Sequence, residues 1–336
     1  MKKILLIRLS SLGDVVLTTP AIRAVRTHFP DAYIAMLVAK QSADVLRENP
    51  HLNKIITFDR LAKDKDTGEM LRVIRHLRER KFTMAIDLQR KFRTELLMYF
   101  SGAAERVGKG RLCTVRVQEQ GNKHATTHYF DLLHAVGIPA SDQRLELFFA
   151  ESERIDAARQ LDTRGICETA LKVGLFPGAG WKLREWMPER FAAIGDRLVS
   201  QFNANVLVFG GEKEKELVQT VVDLMDAPAT PFAGNLQIRQ FAACIEQCDL
   251  FLTNDTGPMH IAAAVGTPTV SLFGPGNHIR FQPLGAMHQT IRYDVPCSPC
   301  KQFTDTCKDN ICMKGIAVDE VWQSIFRTLE KLSDSI

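Results

Sequence analysis

Hydrophobic positions in the first half of this chain come in short, nearly unbroken runs separated by amphipathic stretches. Lys3 to Leu9, Tyr33 to Val38, Lys54 to Phe58 and Phe82 to Leu88 read as strands, and a helix starts at about Asp14. Runs such as Ile4-Leu5-Leu6-Ile7 have no polar face, which suits a strand buried on both sides. Strands alternating with helical patterns predict a parallel sheet covered by helices.

The alternation restarts after Leu147-Phe148-Phe149. A charged, helix-compatible stretch from Glu151 to Arg164 leads to β-type runs at Val173 to Phe176, Val206 to Phe209, Leu250 to Thr253 and Thr269 to Phe273. Helical patterns lie at Pro188 to Gln201, Glu212 to Met225, Gln237 to Glu246 and Met259 to Val265. The expected fold is α/β, with two parallel-sheet domains over 1–152 and 153–316 facing across a cleft. A terminal helix is expected within 317–336, where apolar residues at 318, 321, 322, 325, 326 and 329 keep close to helical spacing.

The 336 residues suffice for two cores, and 45% hydrophobic with 24% charged is ordinary for a soluble globular protein, which excludes disorder, collagen and coiled coil. Lys+Arg 43 against Asp+Glu 39 leaves +4, too small a surplus to argue for nucleic acid. Arg8 interrupts the amino-terminal apolar run, so no export signal is expected, and no apolar stretch approaches the roughly 18 to 20 residues that span a bilayer. The expectation is a cytoplasmic protein whose membrane contact is peripheral.

Candidate chemistry collects at strand ends, where open α/β sheets bind ligands. The first such end, Arg8-Leu9-Ser10-Ser11-Leu12-Gly13-Asp14, lacks the G-x-G-x-x-G spacing of a dinucleotide site and offers a cation, two hydroxyls and a carboxylate instead. Asp14 is either a first-turn acid complementing the helix dipole or a general base for an acceptor hydroxyl. The second, Asn254-Asp255-Thr256-Gly257-Pro258-Met259-His260, runs from a strand into a helix start whose free N–H groups suit a phosphate, with His260 about one turn in. Its plainer reading is an N-cap and a core histidine. The third, Pro177-Gly178-Ala179-Gly180-Trp181-Lys182-Leu183-Arg184-Glu185-Trp186, brings two cations that suit a diphosphate, while Trp186 reads as packing. The fourth, Gly210-Gly211-Glu212-Lys213-Glu214, either holds ribose hydroxyls through an acid or is a solvated helix start.

Together with Thr19-Pro20-Ala21, Pro188-Glu189-Arg190-Phe191, Phe232-Ala233-Gly234 and Phe273-Gly274-Pro275, these segments occur in an order that resembles the heptosyltransferases of lipopolysaccharide core synthesis, glycosyltransferase family 9, particularly the type II enzymes. The resemblance covers nearly the whole chain. It implies a GT-B fold: two Rossmann-like domains, an acceptor-binding amino half, a donor-binding carboxyl half, and a terminal helix packing back toward the first domain. It also implies inverting transfer of heptose from ADP-L-glycero-β-D-manno-heptose to the inner core of a Kdo- or heptose-bearing lipid A acceptor at the inner face of the inner membrane, with no cofactor required for catalysis.

Under that resemblance Asp14 is the general base, with Arg8, Ser10 and Ser11 on the acceptor side. Gly178, Lys182, Arg184, Asp255, Thr256, Gly257 and His260 serve the donor diphosphate, Glu214 the nucleoside and Leu236 the adenine. The family usually carries a lysine where this chain has Arg184, which changes a point charge to a fork, so Lys182 is kept beside it as a second phosphate cation. Segments 60–69 and 90–124, with Arg90, Lys91, Arg93, Lys109, Arg111 and Lys123, either suit an acidic inner core or form an ordinary basic surface.

Two competing functions are a GT-B nucleotide-sugar epimerase and a non-catalytic nucleotide-sugar binding protein; the second gives no reason for Asp14. Apart from catalysis, Cys297-x2-Cys300-x6-Cys307-x4-Cys312 is spaced close to a four-thiolate zinc site, so structural zinc competes with free thiols or disulfides there.

Overall fold

The computed structural model describes residues 1–59, 67–166, 169–234, 236–300 and 307–333. They fall into two units divided between Phe148 and Phe149. The first holds a parallel sheet of β1 (Lys3–Arg8), β2 (Tyr33–Ala39), β3 (Lys54–Phe58), β4 (Met84–Asp87), β5 (Glu105–Gly108) and β6 (Val115–Arg116), in the order β3-β2-β1-β4-β5-β6. Central β1 pairs on both sides, Leu5 opposite Ala35 and Ala85, and Ile4 to Ile7 are buried throughout. The continuous apolar run and the two-sided cover of helices are one fact.

The second unit repeats the plan with β7 (Lys172–Phe176), β8 (Asn205–Gly210), β9 (Ala229–Ala233), β10 (Leu250–Asn254), β11 (Thr269–Phe273) and β12 (His288–Arg292), ordered β12-β11-β10-β7-β8-β9 and parallel. Its core joins Val173, Leu175, Val206, Val208, Leu250 and Leu252 of the sheet to Phe191, Ile194 and Leu198 of helix Pro188–Phe202. The terminal helix Val318–Ser333 puts Val321, Ile325 and Leu329 into this same core.

Helix Glu151–Asp162 also belongs to the second unit. Its Arg154 Nε lies 2.8 Å from Glu246, and Glu153 accepts from Arg239 Nε at 2.6 Å, tying it to helix Ile238–Glu246. A division at 152/153 would cut the first turn of that helix.

Both sheets change winding direction between two central strands, β1 and β4 in the first unit and β7 and β10 in the second. Crossover helices diverge to opposite faces there and leave a crevice at the carboxyl ends of the strands. No helix among the described residues is long and apolar enough to cross a membrane.

Candidate functional site

At the first switch point, β1 ends at Arg8 and helix Leu12–Val16 begins after two serines. Asp14 sits in the first turn of that helix, and its carboxylate gathers the polar groups of the turn. Ser10 Oγ donates to Oδ2, Ser11 Oγ donates to the same oxygen at 3.0 Å, and Arg8 lies 2.9 Å from Oδ1. Arg8 is itself fixed, donating to the Leu88 carbonyl at 2.7 Å and lying 5.5 Å from the centroid of the Tyr129 ring. Arg8, Ser10, Ser11 and Asp14 thus form one constellation, with the carboxylate oriented by a cation and two hydroxyls.

Across the same switch point β4 ends in Asp87, a buried acid that accepts from the amides of Gln89 and Arg90 at 3.0 Å each and from Thr94 Oγ1 at 2.8 Å. Burial pushes its carboxyl up to about 6, against these hydrogen bonds and nearby Arg8. Sequence reasoning missed Asp87 because it closes an apolar run. Its position at the end of a predicted strand beside β1 was the available signal. The turn that follows lines a recess with Leu9, Gln89, Lys91, Arg93 and Thr94. Residues 60–66 of the expected acceptor-side segment lie outside the described residues.

At the second switch point β10 runs into helix Gly257–Val265, with Asp255 and Thr256 between them. Thr256 is the extended N-cap residue and makes no side-chain cap, which leaves the first amides of the helix uncapped by it. Asn254, fully buried, donates to the Pro177 carbonyl at 2.7 Å and accepts from Trp186 N at 3.1 Å, and so clamps the glycine-rich turn after β7 onto the end of β10. The clamp brings Arg184 to Asp255: one guanidinium nitrogen lies 3.2 Å from Oδ2 and donates to the Asp255 carbonyl, also at 3.2 Å. The contact with Oδ2 is one of charge, without hydrogen-bond geometry at that oxygen.

Asp255 is 4% exposed, and its burial pushes the carboxyl up to about 6 although Arg184 opposes the shift. Of the two expected cations, Arg184 joins this cluster while Lys182 is exposed. His260 is buried in the first turn of the helix, one turn from Gly257. Trp186 is a packing residue: fully buried, edge-on to Phe191 with centroids 5.3 Å apart, its indole N–H donating to the Ile316 carbonyl at 3.1 Å.

Beside this cluster is a largely apolar recess of ≈ 270 Å³, lined by Phe176, Gly210, Gly211, Glu214, Leu236, Ile238, Phe241 and Pro258. Glu214 and Leu236, expected at nucleoside and adenine, therefore share one cavity. Gly178 allows the arrangement, since a Cβ there would fall 2.5 Å from Glu214 Cγ. An apolar slot with one acid at its rim can take a flat heterocycle and hydrogen-bond the hydroxyls attached to it.

Structural zinc at the four cysteines finds no support. Among the described residues no group of three or more His, Cys, Asp or Glu side chains is placed to hold a metal ion. Cys297 and Cys307 are exposed, Cys312 is buried, and all four thiols are free of disulfides. Cys307 Sγ accepts from Asn310 N at 3.3 Å, and Cys312 Sγ lies 3.7 Å from Asn310 Oδ1, so local polar groups engage them instead. Burial, and after it the neighbouring thiols, pushes the Cys300 and Cys312 thiols up, so the four cysteines are neighbours without forming a metal-holding group among the described residues.

Residues 70–310 match the family described as Glycosyltransferase family 9 (heptosyltransferase). The chain is 23% identical over 303 residues to the lipopolysaccharide core heptosyltransferase OpsX of Haemophilus influenzae, covering 86% of this chain and 84% of that one. A crystal structure of a family 9 glycosyltransferase from Veillonella parvula superposes with a TM-score of 0.92 at 25% identity, covering 98% of each chain. The structure of Escherichia coli ADP-heptose LPS heptosyltransferase II superposes at 0.80 with 21% identity, covering 99% of this chain and 100% of that one. The two doubly wound units are those of a GT-B fold.

Proposed function

The chain belongs to glycosyltransferase family 9, the heptosyltransferases, and from that premise we propose that it transfers heptose from ADP-L-glycero-β-D-manno-heptose, with inversion, to the inner core of a lipid A-linked acceptor. The observation that carries the reading is the pairing of two unlike constellations at equivalent switch points, a held carboxylate in one unit and a cation-bearing phosphate cradle in the other. The first unit is read as acceptor-binding and the second as donor-binding.

In the reaction the acceptor hydroxyl gives its proton to Asp14 and attacks the anomeric carbon from the face opposite the diphosphate. The bond to the β-phosphate oxygen breaks as the new glycosidic bond forms, and ADP departs. Arg8, Ser10 and Ser11 occupy the other directions around the Asp14 carboxylate and hold it in one orientation, which favours a productive approach. Arg184, the amides at Thr256 and Gly257, and His260 take the charge that develops on the leaving diphosphate. Lys182, exposed at the same turn, adds long-range attraction. The adenine occupies the slot at Leu236, with Glu214 on the ribose. No step calls for a metal or redox group.

The Escherichia coli enzyme is named for ADP-heptose, which supports the donor assignment, and the core heptosyltransferase from Haemophilus influenzae supports the acceptor class. Action at the inner face of the inner membrane, by peripheral contact, follows from a lipid-linked acceptor. The test is incubation with ADP-heptose and a Kdo-bearing lipid A acceptor, followed by mass spectrometry. An acceptor heavier by one heptose is expected. Free epimerised sugar without that product would favour the epimerase reading, and neither product would reduce the protein to a nucleotide-sugar binder.

A further inference from the structure

Helix Phe92–Phe100 in the first unit is apolar on two faces. Thr94, Leu97 and Met98 are buried toward the sheet, as a covering helix requires. The opposite face carries Phe92, Leu96 and Tyr99 at i, i+4 and i+7, with Phe100 beside them, and it is open: Phe92 is 71% exposed, Tyr99 45% and Phe100 40%. Three aromatic rings on one solvent-facing stripe are more than scattered surface hydrophobics explain.

The charged side chains exposed on this helix and at its start have one sign. Lys91 and Arg93 are exposed at the start of the helix, and its one acid, Glu95, is turned inward to accept from the Leu112 amide. That bond draws in loop 109–112, where Gly110 packs against the Glu95 carboxylate and Lys109 and Arg111 are exposed. Arg106 lies 5.4 Å from the centroid of the Tyr99 ring and donates to the Ala103 and Leu112 carbonyls. On the adjacent helix Thr67–Arg80, exposed Leu71 shares a face with exposed Arg75 and Arg78 at helical spacing, with Glu79 as the one exposed acid beside them.

We propose that this face docks on an anionic lipid surface, the aromatic rings entering the headgroup boundary and the flanking lysines and arginines lying on lipid phosphates. Aromatic residues bordered by cations, with no exposed acid on the helix, are the composition of an interfacial amphipathic helix. A second copy of the chain fits less well, because a two-fold contact sets the patch against itself and brings like charges together. The start of the same helix borders the recess of Leu9, Gln89, Lys91, Arg93 and Thr94, so docking holds that recess near the lipid plane. The inference deepens the proposed function, resting on it for its purpose, while the surface can be tested alone.

The test uses the full chain with vesicles of phosphatidylethanolamine and phosphatidylglycerol, and with phosphatidylcholine vesicles as control, in a flotation assay at low and high salt. Binding to the anionic vesicles that weakens with salt is expected, with little binding to the control. Phe92→Ser and Tyr99→Ser should each weaken it about tenfold through lost apolar burial. Both variants should keep ADP affinity and turnover of a water-soluble, deacylated acceptor, which shows that they fold. No binding by the parent, equal binding by the variants, or loss of parent self-association in the variants without any vesicle binding would overturn the proposal. Vesicle binding as expected from a protein that makes no transfer product would leave the surface standing and remove the transferase reading.

Discussion

Asp255→Asn tests whether the phosphate cradle is built at the expense of stability. Burial raises the Asp255 carboxyl from an ordinary 3.8 to about 6. A rise of that size corresponds to about 3 kcal/mol by which the folded state disfavours the ionised form above the folded value. Between the two values the folded chain holds a proton that the unfolded chain has released, so this group makes stability rise as pH falls from about 6 toward about 4. Asparagine removes the charge and with it the cost. The Arg184 contact at 3.2 Å opposes the rise and is already contained in that net figure. The variant should therefore be about 3 kcal/mol more stable than the parent at about pH 8, an advantage that shrinks as pH falls and vanishes below about pH 4. Asp87, whose carboxyl is also raised to about 6, titrates in both proteins and cancels from the difference. Urea unfolding followed by tryptophan fluorescence reads the right unit, since Trp181, Trp186 and Trp322 all lie after Phe149. A variant less stable than the parent at pH 8, or a difference that does not move with pH, would refute the reasoning. Weaker ADP binding should accompany the gain in stability, as expected where a functional site is held in a costly charge state.

Three further predictions concern the second unit. Arg184→Ala should weaken ADP binding by about a hundredfold and Lys182→Ala by less than about threefold, because only Arg184 is drawn into the Asp255 cluster; isothermal titration separates them. Gly178→Ala pushes a Cβ against Glu214 Cγ at 2.5 Å and should raise the donor KM about tenfold with kcat little changed in steady-state kinetics. Trp186→Ala empties a fully buried site and removes a hydrogen bond to Ile316, which should cost about 3 to 5 kcal/mol in the same unfolding assay.

The central strands were legible because burial on both faces leaves an unbroken apolar run: β1, β2, β7, β8, β10 and β11 lie within a residue or two of the runs read from the sequence. Four other strands were not. β6 has two residues, β5 reads Glu-Arg-Val-Gly, β9 contains Pro231, and β12 is His-Gln-Thr-Ile-Arg. β6, β9 and β12 are edge strands and β5 has only the two-residue β6 beyond it, so neighbouring strands rather than their own hydrophobicity recruit them. The domain edge was blurred for a related reason, because a charged helix gives no sign of its owner until Glu153 and Arg154 find Arg239 and Glu246. At the candidate site, local turns were readable as Arg8 to Asp14 and Asn254 to His260. The Asn254 clamp and the placing of Arg184 rather than Lys182 on Asp255 depend on strand order, which spacing along the chain does not encode. Cysteine spacing does not say whether the four thiols are placed to hold a metal, and among the described residues they form no such group.

Asp14 carries the central claim. Heptose transfer from ADP-heptose to the lipid A-linked acceptor, measured for the parent and for Asp14→Asn with ADP affinity determined on the same samples, addresses it directly. The predicted result is a loss of kcat of about 10² to 10⁴-fold with ADP affinity unchanged, since the carboxylate lies in the first unit and the nucleotide site in the second. Turnover by Asp14→Asn at the parent rate would contradict it.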